Sequence, residues 1–566
     1  MKFRVTVGRV GLVGLLLLGC APVFAQSFRV QCPLGTTAHP LLADKTGALT
    51  VPNPAIKCQQ ISGGDGFATM ADGSQIYMFA FGPLSGLVDL RAGMPATEPA
   101  SIFNQVGDMP AILGPADAND PVGSPQFQAA IANTTYNGAI GLVPDPMLAD
   151  PNANVDVNGN PTAAALALAT ACAGPNPPAQ CLTGHVDPRA IIQVGVMNGN
   201  QPAPLMAIDE DDEFFLTLTN VGMIMRPDLF EQHTVHFHGY PNASSYYDGV
   251  PDASVAIQIG GSFTYYYMAP DAGTYFYHCH ITPPEHLQMG MVGQLYVRPR
   301  QNKLGTSAAL VGTPTGTGLL AHNIASARPV GNTDGWTGTT CSDILCTGQT
   351  PVPANTTATR VAGVTYGYND GDGSTGVQVE YPIQIHGFDP NFHYVGMTFN
   401  SEAFTDMKDK YFLLNGRSYP DTVAAGALST PSADGAPHFS QPLPTIINVP
   451  AGGKALLRIS DLDVSEFQTL ASLGIPMHVI GYNARLLRDL GGGDTSYYTN
   501  SITLGGGESV DVILDASDKT VYSAGQVFYL YTPNLDHLSN DAENFGGLMT
   551  EVHICNAVDP NTKACT

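Results

Sequence analysis

Between Asp209 and Val297 the chain alternates short apolar, β-branched and aromatic runs with turn residues. The runs "FFLTLTN", "TVHFHGY", "SFTYYYMAP", "GTYFYHCH" and "GQLYVRP" are parted by Gly, Pro, Asn or Asp. Runs of that length, cut by turn formers, predict β-strands rather than helices. From about Tyr381 to the C-terminus the same punctuation returns in "YFLLNGRSYPDT", "INVPAGGKALLRISD", "IPMHVIGYNARLL", "NSITLGGGESVDVIL" and "VFYLYTPNLDHLSN". Laid side by side, "TVHFHGY" matches "PMHVIGY" and "GTYFYHCHITPPEH" matches "QVFYLYTPNLDH", in the same order. The pattern predicts an all-β chain of two Greek-key β-sandwich domains. The second reads as a copy that kept its framework and lost the histidine pairs and the cysteine.

Around these units the expected organisation is an N-terminal extension and insertion at 26–186, packed on a first sandwich at 187–300. A Gly/Thr/Ala-rich linker follows at 301–380, and the second sandwich occupies 381–566. Within the extension, "SQIYMFAFGPL" reads as a strand and "NPTAAALALATACAG" as a short helix. Residues 1–25 read as a secretory signal, with Lys2, Arg4 and Arg9 ahead of a short apolar run. Two cuts compete there: cleavage after Ala25 in "VFA", which is preferred, and "LLGC", a lipobox-like site that would leave Cys20 lipid-anchored. No later run reaches the ~20 apolar residues that a membrane span needs. The expectation is an exported protein: periplasmic, outer-membrane-associated or extracellular.

Composition supports that reading. Only 13% of the 566 residues are charged, and there are 62 Gly and 44 Pro, a turn-rich balance that suits an extracytoplasmic β protein. A formal charge of −25 repels phosphate backbones and argues against nucleic acid as a partner. Of the 10 cysteines, Cys20 belongs to the signal. Eight fall into close couples: Cys32 with Cys58, Cys172 with Cys181, Cys341 with Cys346, Cys555 with Cys565. Local disulfides in an oxidising compartment are the economical assignment. Cys279 is left over, and a free thiol in such a compartment needs another holder.

Its neighbours supply one. Cys279 lies in "YHCHITPPEHLQMGM", between His278 and His280 and ahead of His286 and Met291, while "EQHTVHFHGYP" upstream holds His233, His236 and His238. On a strand, side chains alternate, so His236 and His238 share a face, as do His278 and His280, with Cys279 opposite. Cys279, His233, His286 and Met291 can then converge on one ion while the paired histidines face another. Two imidazoles, a thiolate and a thioether form the ligand set of a blue-copper electron-transfer site. Zinc, the rival for Cys/His clusters, does not call for the methionine.

These motifs resemble the copper signatures of the multicopper oxidases, the cupredoxin-domain family that includes laccases and metal oxidases. "NGNQPAPLMAIDEDDEFFLTLTN" and "YYDGVPD" resemble further segments of that family. The resemblance covers Asp187–Arg300 closely and Tyr381–Cys555 more loosely. It implies two cupredoxin-like domains and a type 1 copper at His233, Cys279, His286 and Met291. It further implies His236 as a type 2 ligand, His238, His278 and His280 as type 3 ligands, and Asp248 as the acid that relays protons to reduced oxygen. Electrons would leave the type 1 site through Cys279 and its flanking His278 and His280. Two departures stand out. The family places the second type 1 histidine five residues after the cysteine, whereas His286 is seven after Cys279. The family's trinuclear cluster uses four HxH-type pairs, whereas this chain has two, 236/238 and 278/280. His478 in "PMHVIGY" holds the equivalent position in the second unit and could reach a neighbouring copy, which would require a homo-oligomer. His386, His393, His438, His537 and His553 are further candidates, each better read as structural.

Three function classes follow. The first is a copper-dependent oxidase that takes single electrons from a small-molecule phenol or a metal ion and passes them to dioxygen, with a redox partner protein as a further candidate donor. The second is a nitrite-reductase-like enzyme, against which His236 stands where that plan has an aspartate. The third is a non-enzymatic copper-binding electron carrier. The oxidase ranks first because a carrier would not need both members of each histidine pair.

Overall fold

The structure is a computed structural model. It describes residues 28–106, 136–150, 156, 158–174, 177–178, 181–240, 244–269, 271–310, 357–398, 403–431, 437–489 and 491–566. The signal region, Cys20, the Cys341/Cys346 couple and most of the expected linker lie outside these residues.

Strands dominate, and they form two sandwiches. In the first, one sheet runs Met206–Asp209, Val292–Arg298, Gly273–His278, His236–His238, with the first pair parallel and the others antiparallel. The facing sheet runs Gln75–Pro83, Ile56–Thr69, Glu213–Gly222, Ser262–Met268. Alternating aromatics from both sheets fill the space between, among them Phe79, Phe81, Phe214, Phe237, Tyr265 and Tyr277. Burying one such side chain removes enough apolar surface to contribute about 2–3 kcal/mol.

This arrangement corrects the expected boundary at 187. Ile56–Thr69 and Gln75–Pro83 are two of the five strands of the second sheet, which Glu98–Pro99 also joins, not a layer packed outside it. The longer of the two escapes a sequence reading because "IKCQQISGGDGFAT" is polar and glycine-rich. The glycines have a use: a Cβ on Gly63 would lie 2.7 Å from His233 Cδ2, so only glycine lets the strand pass that close to the imidazole. The segment "NPTAAALALATACAG" does hold a helix, Ala163–Cys172, started by the Thr162 side chain accepting from Ala165 N.

The second sandwich pairs a sheet ordered Tyr411–Leu414, Val379–Phe388, Lys454–Asp461, Glu508–Asp515, Met477–Tyr482, Arg485–Leu486 with one ordered Ile447–Pro450, Met549–Cys555, Val527–Tyr531, Gln468–Leu473, Ser501–Leu504. Its core is aliphatic, built from residues such as Ile383, Leu457, Val479, Val512 and Leu530. The two units meet along the strand Gly273–His278. Thr274 Oγ1 donates to Asp511 Oδ1 at 2.6 Å and Ser509 Oγ donates to the Thr274 carbonyl at 2.7 Å. Disulfides join Cys32–Cys58, Cys172–Cys181 and Cys555–Cys565. Among the described residues no helix is long and apolar enough to cross a membrane.

Candidate metal centre

Strand pairing sets the site. In the register between Gly273–His278 and His236–His238, His278 faces His236 and Phe276 faces His238. The chain leaves the strand at Cys279, passes through the short helix Pro283–Gln288 that carries His286, and returns on Val292–Arg298. Backbone bonds close this excursion: Cys279 N donates to the Met291 carbonyl at 3.1 Å, and Met291 N to the His286 carbonyl at 2.8 Å. The turn therefore delivers the Cys279 thiol and the His286 imidazole to one place, with Met291 in the same core cluster.

The side chains of His233, Cys279 and His286 are fully buried, and one ligand atom from each lies within 4.8 Å of the others. Cys279 is a free cysteine. Its Sγ lies 3.2 Å from His286 Nδ1 and accepts the backbone N–H of Thr234 at 3.5 Å. Burial would raise the Cys279 thiol, but the His286 and His233 imidazoles outweigh it and hold it well below the ordinary thiol range. Burial likewise opposes charge on His286, yet the Cys279 thiolate and Glu231 hold its pKa up at about 10. Both ring nitrogens of His233 are buried without a hydrogen-bond partner. Met291 and Met289 pack in the same core cluster as Cys279, and Met291 carries the backbone links.

His236, His238 and His278 form a second group, again with ligand atoms within 4.8 Å. His236 Nδ1 lies 2.7 Å from the Asp248 carbonyl and 3.4 Å from its carboxylate, and His278 Nδ1 lies 2.8 Å from the Cys279 carbonyl. Each carbonyl takes an Nδ1–H, which leaves the lone pair on Nε2, the orientation a metal-binding imidazole needs; the Nε2 of His278 faces His238 Nδ1 at 3.3 Å. Burial first, then the neighbouring imidazoles, push His238 down to about 4 and His278 to about 3, so both are neutral at pH 7. His280 borders the group, its ring 5.3 Å from His236 and 5.8 Å from His278, without entering it. Its backbone N–H is tied to Thr234 Oγ1 at 3.0 Å.

A scan against family profiles matches residues 182–302 to one described as multicopper oxidase. Residues 182–302 are thus similar to a multicopper oxidase domain. Curated relatives include laccase abr2 of Aspergillus fumigatus, 35% identical over 109 residues, which is 19% of this chain and 17% of that protein. Laccase-1 of Emericella nidulans is 34% identical over 123 residues, 21% of this chain and 18% of its own length. The chain thus spans less than two thirds of the curated relatives it matches. Among solved structures, the blue copper oxidase of Nitrosomonas europaea aligns with a TM-score of 0.40 and 20% identity over 63% of this chain and 78% of that one. The copper nitrite reductase of the same organism aligns with a TM-score of 0.37 and 13% identity over 65% and 88%.

The multicopper oxidase family binds copper, and the residues of this domain fit it. A buried thiol held well below its ordinary range by two imidazoles, unpartnered imidazole nitrogens and an adjacent methionine are soft and borderline donors that polar packing alone leaves unexplained. His478, in contrast, joins neither group. Its Nε2 lies 2.8 Å from Ser496 Oγ and its ring stacks on Tyr498 at 4.3 Å. Beside His238 the same chain instead places Gly507 of the second sandwich, whose Cβ position lies 3.4 Å from His238 Cε1. The structural reading of the further histidines suits His386, His393, His537 and His553, which have carbonyl, amide or carboxylate partners. His438 is buried and stands in neither metal group.

Three contributors escape a sequence reading. Glu231 Oε2 lies 3.7 Å from His286 Nε2, Phe79 packs edge-on against His286 at 5.3 Å, and Thr234 links both sites. Glu231 and Thr234 flank His233 in sequence, a signal that could have found them. Phe79 comes from the strand outside the expected domain.

Proposed function

We propose that the chain is a copper-dependent oxidase that takes electrons singly from a small organic or metal-ion donor and delivers them to dioxygen. The observation that carries this reading is the single tripeptide His278–Cys279–His280, whose middle residue belongs to one metal group while His278 belongs to the other. A covalent path of a few bonds therefore joins the two. His233, Cys279, His286 and Met291 would hold the type 1 copper; His236, His238, His278 and, at its border, His280 would hold copper at the second site. Copper supplies a one-electron redox couple at each position.

The protein's own part is positioning and proton supply. The buried apolar cage of Phe79, Phe237 and Tyr265 excludes water from Cys279, and Glu231, 3.7 Å from the outer nitrogen of His286, sets a negative charge beside it. Reduction of one dioxygen to two waters consumes four electrons and four protons. Asp248, a third exposed and beside His236, stands between solvent and the histidine group and relays those protons. A second copy would have to draw His478 away from Ser496 and Tyr498 before it could contribute to this set in a homo-oligomer.

Copper analysis with optical and EPR spectra on protein of measured mass tests the reading. It expects an intense blue or green thiolate band and at least one further copper per chain. A colourless copper-loaded protein would overturn it. Loss of the second copper on His478→Ala, with the band intact, would assign the completing ligand to a neighbouring copy.

A further inference from the structure

Side chains alternate along the paired strands Glu213–Gly222 and Ser262–Met268. Phe214, Leu216, Tyr265 and Tyr267 fill the first core, which turns Glu213, Phe215, Thr264 and Tyr266 to the opposite face. Such a face is ordinarily polar where water covers it. Here Phe215 stands directly across from Tyr266, their ring centroids 5.1 Å apart and their planes tilted by 51°. Tyr247 adds a third ring, 6.3 Å from Tyr266 and tilted by 68°. Gln31, Thr36, Thr37 and Ala38 of the N-terminal extension close over these rings without filling the space, and a cavity of about 360 Å³ remains. That volume lies in the range of small-molecule sites.

Among the described residues that line it, Glu213 alone carries a charge, and it is only 3% exposed. Thr36 Oγ1 donates to its Oε2, as does His39 Nδ1 at 2.9 Å, and Tyr266 Oη donates to Oε1 at 2.7 Å. Burial would raise this carboxyl, but the hydrogen bonds from His39, Thr36 and Tyr266 outweigh it and hold it below its ordinary range. A buried anion beside three aromatic rings favours a cation and disfavours a carboxylate or a phosphate. Both carboxylate oxygens already accept from the protein, so little capacity is left for the N–H groups of a primary ammonium. A methylated ammonium has no such groups to satisfy and offers its charge to the ring faces.

We propose that this cavity is a binding site for a small methylated ammonium ion, held among Phe215, Tyr247 and Tyr266 with Glu213 as its counter-charge. None of its lining residues belongs to either metal group, and the binding does not depend on the oxidase reading.

Calorimetric titration of the copper-loaded full chain with choline and with dimethylbutanol, its uncharged carbon isostere, tests the site. Choline is expected to bind at least about tenfold tighter than the alcohol, and about threefold tighter than ethanolamine, its unmethylated analogue. Phe215→Leu keeps the wall apolar but removes one ring, and should weaken choline at least about threefold. Glu213→Gln removes the counter-charge and should weaken it at least about tenfold. Should Glu213→Gln fail to fold, the three probes and Phe215→Leu still decide. Equal affinity for choline and the alcohol, ethanolamine binding as tightly as choline, or choline binding unchanged in Phe215→Leu would each overturn the proposal.

Discussion

The two sandwiches carry the same loop with opposite contents. In the first, Cys279 N donates to the Met291 carbonyl and Met291 N to the His286 carbonyl. In the second, Thr532 N donates to the Leu548 carbonyl at 2.9 Å and Leu548 N to the His537 carbonyl at 3.0 Å. The backbone arrangement around Cys279, His286 and Met291 is therefore present twice. Where the first unit has His233, Cys279, His286 and Met291, the second has Ile475, Thr532, His537 and Leu548. Its retained His537 is spent on structure, stacked on Phe412 at 3.8 Å and bonded to Gln468 at 3.0 Å. The framework is independent of the metal; the donors are an addition to it.

The second unit places its buried polarity elsewhere. Arg458 is fully buried between Glu380 at 2.9 Å and Asp511 at 3.7 Å, with its guanidinium over Tyr296 of the first unit at 5.0 Å from the ring centroid. Asp409 and Asp463 form a carboxyl pair against Ser465 and Gln288. Gln288 follows His286 by two residues, so the second unit buttresses the loop that carries the first unit's ligands.

Four substitutions would break or sharpen the contrast. The largest effect is expected from Arg458→Ala, which leaves buried Asp511 without its cation and partly buried Glu380 with Arg298 alone, and should cost about 3–5 kcal/mol in urea unfolding. A loss below about 1 kcal/mol would mean that the ion pairs do not define the second unit. Cys279→Thr, which installs the second unit's residue, should abolish the visible band and reduce oxidase turnover at least ~100-fold, equivalent to about 2.7 kcal/mol of barrier. It should leave the fold intact, as Thr532 does in the same backbone setting; a retained band would remove Cys279 from the site.

Acidity gives the third. Burial first, then Asp463, hold the Asp409 carboxyl well above its ordinary range. Across the interval above the unfolded value, near 4, the folded chain holds a proton that the unfolded chain has released. This contribution to stability is therefore complete below that value and lost as pH rises through the folded one. The urea midpoint is expected to fall between pH 5 and pH 8, and Asp409→Asn should flatten the slope. An unchanged slope would disconnect the pair from stability. The smallest effect is expected from Met291→Leu, again the second unit's residue. Similar volume limits its cost to less than about 1.5 kcal/mol. The colour should persist while the potential shifts, because the axial donor tunes the couple; an unshifted potential would point to Met289.

Much of the site was legible because its signals are local. Alternation on a strand puts His236 with His238, and it is confirmed by their common membership with His278 of one group. The free Cys279 followed from counting cysteines and is free in the fold. His280 follows the strand's end at His278, and its ring stands at the border of the group, 5.3 Å from His236. The strand Ile56–Thr69 was missed because its glycines and glutamines conceal its period of two. Phe79, on a strand that was read, was left outside the first sandwich because its place is set through the long-range pairing of Ile56–Thr69 with Glu213–Gly222.

By itself the sequence determined the donor types, their spacing and the duplicated strand order, since these depend on side-chain chemistry and on periodicities of a few residues. Only the tertiary structure decided which sheet the early strands complete, that Glu231 meets His286, that His478 is tied to Ser496 and Tyr498, and that the N-terminal extension closes a cavity over Phe215 and Tyr266. Each of these joins residues far apart in the chain or turns on where a side chain points, and such contacts are fixed by how whole sheets pack rather than by any local pattern.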